Sequence, residues 1–220
     1  MYGYGKPSDI CFLYAQIRGG TMSKIFVVMG KSASGKDTLY KRLLAEESLG
    51  LKTLVPYTTR PIRQGETDGV EYFFVTMDGM KELEAQGKII ECRCYHTIHG
   101  DWYYFTADDE QVDLDVQDYL MITTLVGYEK IRDYYGEDKV IPLYIEVEDG
   151  LRLERALKRE QQEENHRYAE MCRRFLADCE DFSEENLKAA GIGKRYENID
   201  FECCLLELMT DIQREKKKKA

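Results

Sequence analysis

No apolar run in this 220-residue chain is long enough to cross a bilayer. Positive charge is not in excess either: the net charge is −10, which excludes a broad nucleic-acid footprint. The one basic run, Lys216 to Lys219, reads as a solvated tail. Internal repeats are absent, and so are paired C-x-x-C units. Cys11, Cys92, Cys94, Cys172, Cys179, Cys203 and Cys204 therefore read as buried, reduced thiols of a cytoplasmic protein, not as a disulfide framework. Histidine is scarce. His96 and His99 lie near Cys92 and Cys94, but that spacing matches no standard zinc pattern. Residues 1–21 have no helix cap and no sustained period, and Ile10 to Ala15 is too short for a signal-peptide core. They are expected to be a disordered leader, or to precede a true start at Met22.

What remains suits one α/β domain with a small insertion. Ile25 to Met29 is an all-apolar run, the sign of a strand buried on both faces. Thr38 to Glu47 follows at helical spacing. Leu120 to Ile122 and Val140 to Val147 are further buried strands, each followed by a helical pattern, Tyr128 to Tyr135 and Leu151 to Gln162. Strand alternating with helix implies a parallel sheet flanked by helices. Between Val70 and Thr106 the pattern changes. Val70 to Val75, Lys88 to Tyr95 and Trp102 to Thr106 read as short strands, with a helix over Asp78 to Ala85. That stretch is expected to be a β-rich insert. Glu160 to Glu164 and the helix after it are highly charged, which suits an exposed segment.

Gly30-Lys31-Ser32-Ala33-Ser34-Gly35-Lys36-Asp37-Thr38 carries the chemistry. It places G-x-x-x-x-G-K between a buried strand and a helix, the context of a phosphate-binding P-loop. Glycines let the backbone curl so that N–H groups face phosphate oxygens, and the helix N-terminus adds its positive dipole end. Gly30, Ser32, Ala33, Ser34, Gly35, Lys36, Asp37 and Thr38 are the expected ATP cradle. Lys36 is the candidate catalytic cation, reaching the terminal phosphates. Asp37 stands where a P-loop has Ser or Thr. Its carboxylate is a hard ligand suited to Mg²⁺, so it is the candidate metal ligand.

Thr58-Thr59-Arg60-Pro61-Ile62-Arg63-Gln64-Gly65-Glu66, continuing to Gly69 and Tyr72, is a candidate phosphate cage. Arginine forks bind phosphate in a fixed geometry, and a tyrosine hydroxyl can complete the ring of donors. Standing alone, such a segment would suit a solvated loop with incidental charges better. Together with the P-loop it resembles the guanylate kinase family, whose T-T-R-x-x-R-x-G-E-x-x-G-x-x-Y pattern it matches.

The resemblance runs from about Met22 to the C-terminus. It implies an ATP-binding core (22–53 and 118–220), an acceptor-binding insert (about 54–110) and a helical lid (about 152–175). It implies that Arg60, Arg63 and Tyr72 hold the acceptor phosphate, that Glu91 reads the guanine edge, and that Tyr104 touches phosphate and Thr106 the base. It implies that Arg155, Arg159 and Arg174 close on the transferring phosphate. Arg159 and Arg174 join Lys36 as candidate catalytic residues, and Arg155 is assigned to the ATP side. Several positions depart from the family: Pro56 replaces a serine, Phe105 replaces a glycine, and Ile122 and Thr124 replace two aspartates. Asp37 is offered as the substitute for the missing metal-side charge.

The implied activity is ATP-dependent transfer to a nucleoside monophosphate, most simply GMP to GDP, with no nucleic-acid or membrane partner. Two alternatives stay open. Gly35-Lys36-Asp37 also resembles ribose bisphosphate phosphokinases, which phosphorylate a sugar phosphate. A non-catalytic guanylate kinase-like binding module is the other.

Overall fold

The first strand has no polar face. In the computed structural model, which describes residues 23–97 and 100–218, β1 (Ile25–Met29) is buried at every position. Successive side chains of a strand point to opposite faces. Ile25, Val27 and Met29 therefore enter one core and Phe26 and Val28 another. A strand of that kind needs partners on both edges and helices on both faces.

Both are present. A five-stranded sheet has the order β2-β7-β1-β8-β9, and every pairing in it is parallel. Its strands are β1, β2 (Leu51–Thr53), β7 (Asp118–Ile122), β8 (Val140–Glu146) and β9 (Arg195–Glu197). One face is covered by α1 (Lys36–Ala45) and α7 (Phe201–Lys217), through Leu39, Leu43, Leu205, Leu208 and Ile212. The other is covered by α3 (Leu125–Tyr135) and by α6 (Glu184–Ala189) with its flanks, through Tyr128, Ile131, Phe182, Leu187 and Ile192. Tyr196 of β9 donates its hydroxyl to Asp211 of α7 at 2.9 Å, fastening the edge strand to the helix above it. Two further helices, α4 (Asp149–Glu160) and α5 (Tyr168–Asp181), follow β8.

The segment between β2 and β7 builds a second sheet, of order β4-β3-β6-β5. It contains β3 (Tyr57–Thr58), β4 (Phe73–Phe74), β5 (Ile89–Thr97) and β6 (Gly100–Ala107). The β5–β6 pair is antiparallel and sets Glu91 against Thr106 and Arg93 against Tyr104. Helix α2 (Met77–Ala85) places Met80 in a small core with Phe105 and Ala107. Thr76 caps that helix by accepting from the Gly79 N–H at 3.1 Å.

The parallel sheet, the flanking helices and the β-rich second sheet match the pattern read from the sequence. Some elements need correction. Val70 to Val75 is not one strand: only Phe73–Phe74 pairs as a strand, with Tyr72 making an isolated bridge to Asp68, because the backbone turns through positive φ at Gly65 and Gly69. Helix α1 begins at Lys36, not Thr38, since Gly35 already supplies the left-handed entry (φ 84°). It stops at Ala45, where Glu46 turns to extended backbone. The six described cysteines are free, but they are not buried as a class. Cys92, Cys94, Cys172 and Cys203 are exposed, Cys179 is half-buried, and Cys204 is the one buried cysteine among the described residues. The adjacent Cys203 and Cys204 both lie on helix α7, which turns the first outward and the second into the core. The N-terminal 21 residues and Met22 lie outside the described residues, as does His99.

Helix α7 gives a direct test of this packing. Leu208 is fully buried and Leu206 is 65% exposed. Leu208→Ala should cost about 2–5 kcal/mol in urea unfolding. Leu206→Ala should stay within about 0.5 kcal/mol of the parent.

Candidate active site

Strand β1 delivers the chain into the loop Gly30 to Gly35, and both glycines are forced. A Cβ on Gly30 (φ 157°) would lie 2.5 Å from the Ile145 carbonyl oxygen. On Gly35 (φ 84°) it would lie 2.4 Å from Asn198 Nδ2. That same Asn198 amide donates to the Ser34 carbonyl at 2.7 Å and pins the loop from below. Ala33 takes a left-handed φ of 62°, an unusual state for a residue with a Cβ. The Ser34 hydroxyl is buried with no partner among the described residues. The loop ends on the N-terminus of α1, where N–H groups lack intrahelical partners. Lys36 Nζ lies 3.6 Å from Asp37, whose side chain is 77% exposed; Thr38 is exposed as well.

The first half of the loop is held by α4 and α5. Lys31 Nζ donates to Asp149 at 3.1 Å. The Ser32 N–H donates to Asp178 at 2.7 Å, and the Ser32 carbonyl accepts from Arg152 at 3.0 Å. Arg152 is 1% exposed, bonds Asp149 through Nε and an NH2 group, and lies over the Phe175 ring at 4.6 Å. Burial works against the Asp149 charge, yet its bonds to Arg152 and Lys31 hold its carboxyl below the usual range. Arg159 and Arg174 are exposed and line one small cavity together with Ser32. Arg155 bonds the Asn198 carbonyl at 2.9 Å, so it reaches the loop's support and not the loop itself.

The second sheet carries the other half of the site. Arg60 is 3% exposed. It grips Glu66 with both NH groups, at 2.7 and 2.6 Å, and donates Nε–H to the Tyr104 hydroxyl at 3.2 Å. Its guanidinium faces the rings of Tyr72 and Phe74, at 5.1 and 5.3 Å. Burial pushes the Tyr72 hydroxyl pKa up. The Arg60 bonds draw the Glu66 carboxyl down to about 2. A depressed carboxyl stabilises the fold above its ordinary pKa. That contribution therefore stands at neutral pH and fades only as pH falls below about 4 towards 2. Arg63 is exposed and joins the group through its backbone N–H, which donates to Glu66 at 2.8 Å.

Glu91 and Thr106 are both buried, and the threonine hydroxyl donates to the carboxylate at 2.9 Å. Arg60, Tyr72, Tyr104, Glu91 and Thr106 are thus brought together as expected, with Arg63 at the rim. The sequence reading passed over Arg93. It donates Nε–H to Glu91 at 3.0 Å, a second N–H at 3.3 Å, and a third to the Thr124 hydroxyl at 3.3 Å. It stands two positions after Glu91 on one strand, so face alternation was a signal for it. Arg152, Asp149, Asp178 and Asn198 were also passed over; their contacts reach across 100 residues or more and have no local signature. Cys94, His96 and Asp101, all exposed, bring ligand-type atoms within 4.8 Å of one another at the β5–β6 hairpin, and Cys92 is not in the group.

Comparison with known proteins places this geometry in context. A family model described as guanylate kinase matches residues 22–184, well over half of the chain. The chain is 36% identical over 115 residues to a guanylate kinase of Symbiobacterium thermophilum, covering 51% of this chain and 52% of that protein. It is 27% identical over 126 residues to one from Porphyromonas gingivalis, covering 56% and 65%. These matches span about half to two thirds of the length of those relatives. The crystal structure of a guanylate kinase from Anaplasma phagocytophilum superposes with a TM-score of 0.63 at 19% identity, over 90% of this chain and 89% of that one, which shows a shared fold.

If Lys36 serves ligand charge and not packing, Lys36→Ala should leave the melting temperature near that of the parent. Phosphoryl transfer measured by ADP release should drop roughly a hundredfold or more in kcat. Near-normal turnover by the folded variant would refute the loop's assignment.

Proposed function

Because the chain belongs to the guanylate kinase family, we propose that it transfers the γ-phosphoryl group of ATP to a nucleoside monophosphate, with GMP as acceptor and GDP as product. One observation carries this reading. Strand β6 anchors both halves of an acceptor site at neighbouring same-face positions: Tyr104 receives the Arg60 guanidinium and Thr106 donates to Glu91. A phosphate cage and a base reader are thus held a fixed distance apart, as a nucleotide requires. A sugar phosphate has no base to engage a buried Glu91, and a binding module without ATP chemistry has no use for Lys36.

The loop fits a polyphosphate: it has no room for a Cβ at either end, it leads into a helix N-terminus, and Lys36 stands beside it. Asp37 supplies one hard oxygen ligand, which suits Mg²⁺ held mainly by phosphate oxygens and water. When bound, the ion would neutralise charge on the terminal phosphates. Arg60 and Tyr104 orient the acceptor phosphate, and Tyr72 shields it. Arg63 at the rim adds a second fork. Arg159 and Arg174, on helices α4 and α5, act as a lid that stabilises charge on the equatorial oxygens, and Arg155 steadies the ATP side through Asn198. In this reading 22–53 and 118–220 form the core, about 54–110 the acceptor insert, and about 152–175 the lid.

Free thiols among the described residues favour a reducing cytoplasm. No described helix is long and apolar enough to cross a membrane.

The deciding experiment is ADP release with GMP, AMP and a ribose phosphate as acceptors. GMP should be favoured over AMP, and the ribose phosphate should be inert. Arg60→Ala should raise KM for GMP by roughly tenfold or more, the loss of a charge-assisted hydrogen bond, with KM for ATP unchanged. A fall in ATP affinity alone would misplace Arg60, and turnover of only the sugar phosphate would reverse the choice of acceptor.

A further inference from the structure

Glu91 is almost fully engaged before any acceptor arrives. A carboxylate offers about four lone-pair sites. Oε1 takes the Thr106 hydroxyl at 2.9 Å and an Arg93 NH2 hydrogen at 3.3 Å, and Oε2 takes the Arg93 Nε–H at 3.0 Å. One in-plane site is left, on Oε2. A carboxylate that reads guanine by its N1–H and 2-amino donors needs two.

Arg93 is not a loose surface charge that a ligand would sweep aside. Its side chain is 21% exposed, against 2% for Glu91. Its third anchor, Thr124, is itself fixed as the N-cap of α3 by accepting from the Gly127 N–H at 3.2 Å. The guanidinium thus spans the cleft from the second sheet to the end of β7. On β5 it stands opposite Tyr104, on the same face as Glu91 and Thr106. Guanidinium carries five N–H donors. Three are used, leaving one hydrogen on each terminal nitrogen.

We infer that Arg93 is a specificity-determining residue that turns Glu91 into half of a donor–acceptor pair, so that the site reads 6-oxopurine nucleotides without reading the 2-amino group. The inference rests on the reading of this cleft as the acceptor site. The pair presents one free acceptor on Glu91 and free donors on Arg93. That set complements N1–H beside O6, which guanine and hypoxanthine share. It does not complement N1–H beside an amino group, because the second donor would meet a guanidinium. Neutralising the carboxylate also removes the electrostatic preference for a donor-rich edge.

The test compares kcat/KM for GMP, IMP and AMP in the parent, in Arg93→Leu and in Thr124→Asp, with isothermal titration of GMP and IMP alongside. The parent should use GMP and IMP within about threefold of each other, since no charge-assisted bond distinguishes them. Arg93→Leu frees Glu91 and should raise the GMP-to-IMP ratio to roughly tenfold or more. Leucine leaves a buried carboxylate with one partner fewer, so this variant can fail to fold. Thr124→Asp is the second route: aspartate caps a helix as well as threonine and gives the guanidinium a rival carboxylate, so the ratio should rise in the same direction. A parent that prefers GMP to IMP by more than about tenfold overturns the inference while leaving the proposed function standing. So does a ratio unchanged in the folded variants. A parent inactive towards all three nucleotides overturns the proposed function, and the inference with it.

Discussion

The chain must pass from a strand buried on both faces into a helix through a loop with no room for a side chain at either end. Most of the site follows from that constraint. Gly30 is pressed against the Ile145 carbonyl of the neighbouring strand, and Gly35 against the Asn198 amide. Because Asn198 also holds the Ser34 carbonyl, the loop's conformation depends on residues just beyond β9. The parallel order β7-β1-β8 is what brings those carboxyl-terminal strand ends together. The loop, the Asn198 support and the first turn of α4 thus occupy one end of the sheet, the end where open parallel sheets place their ligands.

Arginine–carboxylate pairing is the second organising theme. Arg152 with Asp149 and Asp178 clamps the loop, Arg60 with Glu66 organises the proposed phosphate cage, and Arg93 pairs with Glu91 in the proposed base pocket. Two of these guanidinium groups, Arg152 and Arg60, are almost fully buried. Buried charge is stable only when paired and hydrogen-bonded. The pairing therefore pre-organises the cleft and also limits it: each donor spent on an internal partner is one fewer for a ligand. Arg60 has one N–H left after Glu66, Tyr104 and the Pro61 carbonyl are served. In the proposed function an incoming phosphate therefore competes with Glu66 for the same fork.

How much of this could be read from the sequence depends on the distance over which each signal acts. The P-loop, β1 and α1 are contiguous, and apolar period and glycine placement identify them directly. Glu91 and Thr106 are separated by 15 residues across a single hairpin, and a motif match located them. Arg93 was within reach of strand alternation, but its bond to Thr124 joins two sheets and has no local trace. Arg152 fails for a different reason. A highly charged helix reads as solvated, and that holds for Arg159 and Lys158 but not for the one arginine turned inward beneath the loop. The exposed cysteines fail similarly, since thiols are usually buried and β5 turns Cys92 and Cys94 outward while turning Glu91 and Arg93 into the cleft. Composition gives a typical environment, and only packing decides the particular one.

The missing carboxylates of β7 belong to the same balance. Ile122 pairs in register with Val28 and packs against the core under α1, so that strand end is apolar. Asp37, the acid in the loop motif itself, sits in the first turn of α1, where a negative charge is favoured by the helix dipole. There it is largely exposed, and solvent screens it. On the acceptor side Thr124 is neutral, so the carboxylate that Arg93 bonds in the cleft is Glu91. The charges of Arg60, Glu66, Arg93 and Glu91 then cancel. In the proposed function, net attraction for a phosphate comes from the cations at the margins, Lys36, Arg63, Arg159 and Arg174, of which Arg63, Arg159 and Arg174 are exposed. In the proposed function, a neutral, pre-paired interior ringed by cations, of which Lys36 is paired with Asp37 and Arg174 with Glu170, binds an anion weakly when open. Closure of the proposed lid would strengthen binding by excluding water, because the same charges would then act through a lower dielectric.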